Sequence, residues 1–265
     1  MKKLITILLT LLFVFALTSC ENVVLDEMKT YDVTEQINSI EVEIKAADFR
    51  IEQAENFSVE SNLKYLSVKQ ENGVLKIVDE AKGTGNFNNA RLTIQIPTDK
   101  VFESVSIKTG AGKLTVDTLT TGTMTLRLGA GETWFNKLIA TQSASIEGGA
   151  GETTIASGAI KNLTLEMGAG EFNLVSLLAG NNRLKFGVGE SNVTLYGTQA
   201  DYKVDVEKGV GSITVDGQSV TSFSCDGNSE NFVKIEGGVG AIHLRFQQNE
   251  TNGKKRAKDN LGSFF

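Results

Sequence analysis

The side chains best placed to do chemistry in this 265-residue sequence form one periodic set. Glu132, Glu152, Glu171 and Glu190 recur at a nearly constant interval. Such spacing puts them at one phase of a repeating unit, and carboxylates held in a row repel unless water or a cation screens them. A row of hard oxygen ligands is the chemistry of Ca²⁺ binding. The plainer expectation is a solvated ladder with no metal and no cofactor. Other reagents are scarce. His243, the single histidine, sits between Ile242 and Leu244 on a polar phase and reads as a strand residue facing water. Trp134, the single tryptophan, lies between two core phases and so faces outward, where an indole can serve as a platform for a sugar ring. One His and two Cys remove most of the usual catalytic and zinc-binding repertoire. A carbohydrate-cleaving site needs a localised pair of carboxylates roughly 5 to 10 Å apart, whereas the acids here are spread one per unit. No catalytic residue is expected.

The elements that must position these side chains are repeats. A tripeptide of glycine, a small apolar residue and glycine recurs at Gly110–Gly112, Gly129–Gly131, Gly149–Gly151, Gly168–Gly170, Gly187–Gly189, Gly209–Gly211 and Gly238–Gly240. The first five copies are evenly spaced, and the last two follow at longer intervals that read as small insertions. Three residues before each first glycine stand Ile107, Leu126, Ile146, Leu165, Leu184, Val206 and Ile235. Six residues after it stand Val116, Phe135, Ile155, Leu174, Val193, Val215 and Leu244. Between these anchors apolar and polar residues alternate, the period of a half-buried strand rather than a helix. Two short strands meeting at a glycine corner, stacked unit on unit, predict an all-β single-domain β-solenoid of the β-helix or β-roll kind, with about 19 to 20 residues per coil. Fourteen of the 27 glycines serve these corners, supplying positive φ or close backbone approach, with the small central residue expected to point into the core. The glycines do not make a phosphate loop, because neither the following Lys-Ser/Thr pair nor a helix is present.

A degenerate copy without glycines, Ile40 to Ile51, aligns with Leu163 to Leu174. Alternating runs follow at 66–69, 74–78 and 91–96, with Glu71-Asn72-Gly73 as a hairpin signal and the only proline, Pro97, at a strand end. Residues 31–103 therefore read as a less regular N-terminal β cap that shields the first edge, and residues 104–246 as the repeat solenoid. The segments IEVEIKAADFRIEQ, RLTIQIPTDKVFESVSIKTGAGKLTV, the GAGE corners and VKIEGGVGAIHLRF resemble the bacterial β-strand-repeat proteins grouped as the "putative adhesin" family, a domain of unknown function. The resemblance spans roughly residues 35 to 246. It implies architecture and a surface role, and it brings no catalytic residue.

The N-terminus reads as an address. Lys2 and Lys3 precede an apolar run from Leu4 to Leu17, too short for the ~20 residues of a bilayer span. The run ends in Leu17-Thr18-Ser19-Cys20, which resembles the lipobox of bacterial lipoproteins, so Cys20 is the expected lipidation site after removal of residues 1–19. Residues 20–30 then form a tether, and more than one acyl chain gives stable attachment. With Cys20 lipidated, Cys225 has no disulfide partner and reads as a small, partly buried hydrophobe. Removing residues 1–19 leaves 24 basic and 32 acidic side chains, a charge of -8, which argues against nucleic acid as a partner. Residues 247–265 lose the pattern and carry the basic patch Lys254, Lys255, Arg256 and Lys258, read as a disordered tail. The sequence thus points to a non-enzymatic, lipid-anchored adhesion, scaffold or envelope-sensing module of the bacterial cell envelope, outside the cytoplasm, that meets the membrane through its N-terminal lipid and presents a long face to a surface polymer or protein. The alternatives from other classes are a β-helix polysaccharide lyase or hydrolase and a cation-binding surface protein.

Overall fold

The computed structural model describes residues 25–34, 36–82, 89–227 and 230–248, and these are almost wholly β. A single open sheet of 15 strands runs through them. Among the described residues the one helical element is a 3₁₀ turn at Gln199–Asp201. The alternating apolar residues are what build the sheet. Both anchor phases are buried throughout, from Ile107 and Val116 to Ile235 and Leu244, while most polar residues between them stay at the surface, with Thr133, Thr153, Thr154 and Ser191 the buried exceptions.

The middle of the sheet is a parallel ladder with constant register. Strand β7 (Val101–Ile155) covers several repeats without a break, because the ladder continues through the glycine corners. It pairs in parallel with β9 (Leu163–Ala179), in register from Ala144↔Leu163 through Ala150↔Ala169 to Ile155↔Leu174. A third short strand, β8 (Gly158–Lys161), bridges Leu138–Ala140 of β7 and Leu177–Ala179 of β9. Strand β10 (Asn181–Tyr196) continues the stack on β9, with Ala169↔Val188 and Leu174↔Val193 opposite each other. Parallel strands buried on one face need long connections between partners, and here each connection is the remainder of the repeat itself.

Sequence order and spatial order part at both ends. The last copy, β15 (Phe232–Gln247), does not stack outside β11 (Lys203–Glu207) and β12 (Val210–Val215). It lies between them and β10, paired in parallel on both sides. The expectation that units stack in chain order fails here, and the reason is continuity. Strand β15 keeps register with β10 from Asn181↔Phe232 to Tyr196↔Gln247, whereas the unit before it is broken between Glu207 and Val210. The unbroken strand takes the inner place. At the other end β2 (Ser39–Ala54) pairs in parallel with β7 on one side and with β5 (Val74–Asp79) and β6 (Arg91–Pro97) on the other. Again the broken layer lies outside the continuous one.

Antiparallel strands cover both broken layers. Strand β4 (Leu66–Glu71) pairs with β5, β3 (Ser58–Leu63) with β6, and β1 (Leu25–Asp32) with β3. At the far end β14 (Phe223–Asp226) pairs with β11, and β13 (Gln218–Val220) with β12. A long parallel edge would template pairing with other chains, and these short reversed strands blunt it. Tyr202 plugs the same end, buried, with its hydroxyl donating to the Tyr196 carbonyl at 2.6 Å. Desolvation pushes its phenol well above the usual range.

The corners differ from expectation in one respect. Ala111, Ala130, Ala150 and Ala169 face solvent, as do Val188, Val210 and Val239, the last three more than half exposed. The central residue points outward because the chain loops away from the core at the corner. The space beneath is filled by the residues flanking the tripeptide, such as Leu128 with Thr133 and Met167 with Phe172. The exception is the glycine-free corner of β2, where Ala46 and Ala47 are both buried.

Candidate functional site

The corner glycines form two rows along the stack. In spatial order the first row is Gly110, Gly129, Gly149, Gly168, Gly187, Gly238 and Gly209, and the second is Gly112, Gly131, Gly151, Gly170, Gly189, Gly240 and Gly211. A β-carbon on Gly129 would overlap the carbonyl oxygen of Gly110, and one on Gly131 the carbonyl oxygen of Gly112. The second row also carries positive φ, from 105° at Gly112 to 156° at Gly211. The corner is thus fixed by backbone packed on backbone and offers no side chain of its own for chemistry.

The strand after each corner presents the candidate site. Its first outward position holds Lys113, Glu132, Glu152, Glu171, Glu190, Ala241 and Ser212 in spatial order, with Glu152, Glu171 and Glu190 in direct register. Each carboxylate has a local partner. Lys113 Nζ lies 3.4 Å from Glu132 Oε2. Thr154 Oγ1 donates to Glu152 Oε1 at 3.3 Å, Asn173 Nδ2 to Glu171 Oε1 at 3.0 Å, and Asn192 Nδ2 to Glu190 Oε1 at 3.3 Å. These glutamates are exposed, and among the described residues no group of three or more His, Cys, Asp or Glu side chains is gathered to hold a metal ion.

The second outward position forms a ladder that reading residue types missed. It runs Thr115, Trp134, Thr154, Asn173, Asn192, His243 and Thr214. Asn173 Nδ2 donates to Thr154 Oγ1 at 3.2 Å, and Asn192 Nδ2 to Asn173 Oδ1 at 3.0 Å. Its signal was in the spacing: these residues stand five after each first glycine. Trp134 projects from this ladder, 44% exposed. His243 is tied into the surface rather than free: its Nδ1 lies 2.7 Å from Thr214 Oγ1 and its Nε2 3.6 Å from Glu190 Oε1. That contact exists only because β15 lies between β10 and β12.

The face before each corner is a ladder of charges. Lys108 meets Glu43 at 2.6 Å, Arg127 meets Glu147 at 3.2 Å, Lys185 meets Glu166 at 3.8 Å and Lys234 meets Glu236 at 3.0 Å. The hydrogen bond from Lys108 holds the Glu43 carboxyl below the usual glutamate range, and Lys234 does the same for Glu236. Exposed pairs of this kind add little stability each; their effect is to neutralise the row. Cys225 is partly buried on β14, its thiol near the carbonyls of Tyr202 and Gln199 at 3.6 and 3.7 Å, and desolvation raises its pKa, away from the reactive thiolate. Cys20 and the basic residues Lys254, Lys255, Arg256 and Lys258 lie outside the described residues.

A family model described as Toastrack DUF4097 matches residues 37–260. Among solved structures, the chain is similar to a "putative cell adhesion protein" from Clostridium sporogenes at 15% identity, covering 83% of this chain and 99% of that one with a TM-score of 0.37. It is similar to a "putative adhesin" from Bacteroides fragilis at 17% identity, over 82% and 95% of the two chains with a TM-score of 0.36. A "putative lipid binding protein" from Parabacteroides distasonis shares 17% identity over 82% and 96%, with a TM-score of 0.40. No curated protein matches the chain.

Proposed function

The chain belongs to the Toastrack DUF4097 family, and from that premise we propose that it is a non-enzymatic, lipid-anchored surface module built as a β-solenoid with one glycine corner per coil. Its N-terminal lipid on Cys20 holds the body to the envelope membrane, and its long face engages a surface polymer or protein as an adhesion or scaffold element. One observation supports this reading above the rest. The constant register of β7, β9, β10 and β15 sets outward residues in continuous rows, so recognition groups are spread evenly along the stack. Catalysis needs reactive groups converging on one point; extended rows suit a ligand that is itself long and repetitive. The carboxylates in the row are held by a lysine, a threonine or an asparagine, with His243 a second contact of Glu190, and they are spread over successive layers.

The test is fractionation of cells expressing the full chain or Cys20→Ala. The parent should sediment with membranes, and the variant should appear in the soluble extracytoplasmic fraction with the same fold by circular dichroism. Equal partition of both would remove the anchor from the proposal. Hydrolysis or eliminative cleavage of any envelope polysaccharide by the purified chain would overturn the non-enzymatic reading.

A further inference from the structure

We propose that the strip formed by Trp134, Asn173 and Asn192, flanked by Glu132, Glu152 and Glu171, binds an extended, uncharged β-1,4-linked glycan. The inference deepens the proposed surface role by naming the chemical class of polymer. Trp134 is 44% exposed, which leaves part of an aromatic face open to a ligand. Its outward neighbours are all polar: Glu132 and Asn136 on its own strand, Thr115 and Thr154 on the layers either side. A protein-binding hot spot would sit among further apolar contacts. One aromatic face amid hydrogen-bonding groups matches a sugar instead, whose ring stacks through its C–H face while its rim of hydroxyls seeks donors and acceptors.

Beyond the indole the strip supplies mainly acceptors. The amide hydrogens of Asn173 and Asn192 and the Thr154 hydroxyl are spent within the ladder, where they hold Glu152, Glu171 and Glu190, so the exposed carboxylates are what receive a sugar's hydroxyl hydrogens. The carboxylates recur once per layer, at the ~4.8 Å strand spacing. An extended β-1,4-linked chain advances by nearly that distance per sugar, so successive sugars, which face alternate ways, each meet one carboxylate of the row. The charge of the strip selects among glycans. The row Glu132, Glu152, Glu171 and Glu190 repels uronates, sulfated sugars and phosphate-bearing polymers, and accepts hydrogen bonds from neutral or N-acetylated sugars.

Because Trp134 is the only tryptophan, its fluorescence reports this strip alone. Cellohexaose and chitohexaose are titrated into the full-length chain in detergent, with tetragalacturonate as the anionic control. At least one neutral hexaose should shift and saturate the emission, its disaccharide should bind at least tenfold more weakly, and the anionic oligomer should leave the spectrum unchanged. By isothermal titration, Trp134→Ala should abolish the binding heat and Asn173→Ala should weaken affinity about tenfold, with unchanged thermal unfolding in both variants. No spectral change with either hexaose at millimolar concentration would overturn the inference, as would undiminished binding by Trp134→Ala or equal binding of the anionic oligomer. The surface role is read separately, by the partition of the chain and its Cys20→Ala variant, so either proposal can fall alone.

Discussion

At the scale of the residue, the two corner glycines are needed for different reasons, and the difference can be measured. Gly129 has ordinary backbone angles but no room for a β-carbon, because the Gly110 carbonyl fills that space. Gly217, in the turn between β12 and β13, has φ +81° with nothing within 4 Å of a β-carbon. Gly131 combines φ +138° with overlap onto the Gly112 carbonyl. Gly217→Ala should therefore cost about 1 kcal/mol of unfolding free energy, the strain of a left-handed residue alone. Gly129→Ala should cost about 2 to 3 kcal/mol, since the neighbouring backbone must move and packed interiors yield little. Gly131→Ala should exceed both. Urea unfolding of the three variants decides it: three equal losses would mean that close stacking is not what requires the glycines. That a corner needs glycine was legible in the sequence from the repeat alone. Which glycine needs positive φ was not, since a glycine selected for space and one selected for φ look identical.

At the scale of the element, each repeat must fill the space under its corner with two residues, one before the tripeptide and one after. In the first five repeats the pairs are Thr109 with Leu114, Leu128 with Thr133, Gly148 with Thr153, Met167 with Phe172, and Phe186 with Ser191. Most combine one large and one small residue. Two do not, and they are neighbours: the gap at Gly148 is occupied by the end of the Met167 side chain from the next layer. Methionine suits this, being unbranched and adaptable. This compensation explains why no single repeat reads as well packed from its own residues. The pattern gave the inward phases correctly, because alternation is local, but volume is balanced between layers that lie a full repeat apart along the chain. The coupling predicts a double-mutant cycle. Met167→Ala should cost about 2 kcal/mol through the space it opens. Gly148→Ala should destabilise the parent by about 1 to 2 kcal/mol and become nearly neutral beside Met167→Ala, a coupling of at least about 1 kcal/mol in chemical unfolding. Additive losses would show that the two layers do not share the space.

At the scale of the whole molecule, the sequence pattern gives the repeats but not their order. Every copy carries the same two apolar phases and the same glycines, so local pattern makes any copy an acceptable parallel partner for any other. Continuity and end-capping choose, and these emerge only when all copies compete. The chain therefore runs past the place where β15 will lie, builds the outer layer of β11 and β12 with its covering strands β13 and β14, and returns to fill the gap. The same detour at the start puts β5 and β6 outside β2. This also explains why His243 reads from sequence as a free surface residue and is instead bonded between Glu190 and Thr214. The arrangement makes the C-terminal strand a keystone: β15 supplies the parallel partner for both β10 and the 203–215 layer. A chain ending at Gly227 should lose slow amide exchange across residues 203–226, because that layer keeps only its short antiparallel covers. Residues 123–174 should stay protected, since stacked repeats are stabilised mainly by their nearest neighbours. A chain ending at residue 248 should match the parent throughout. Retained protection of 203–226 in the shorter chain would mean that the broken layer re-pairs directly on β10, and that β15 is interchangeable with it rather than required.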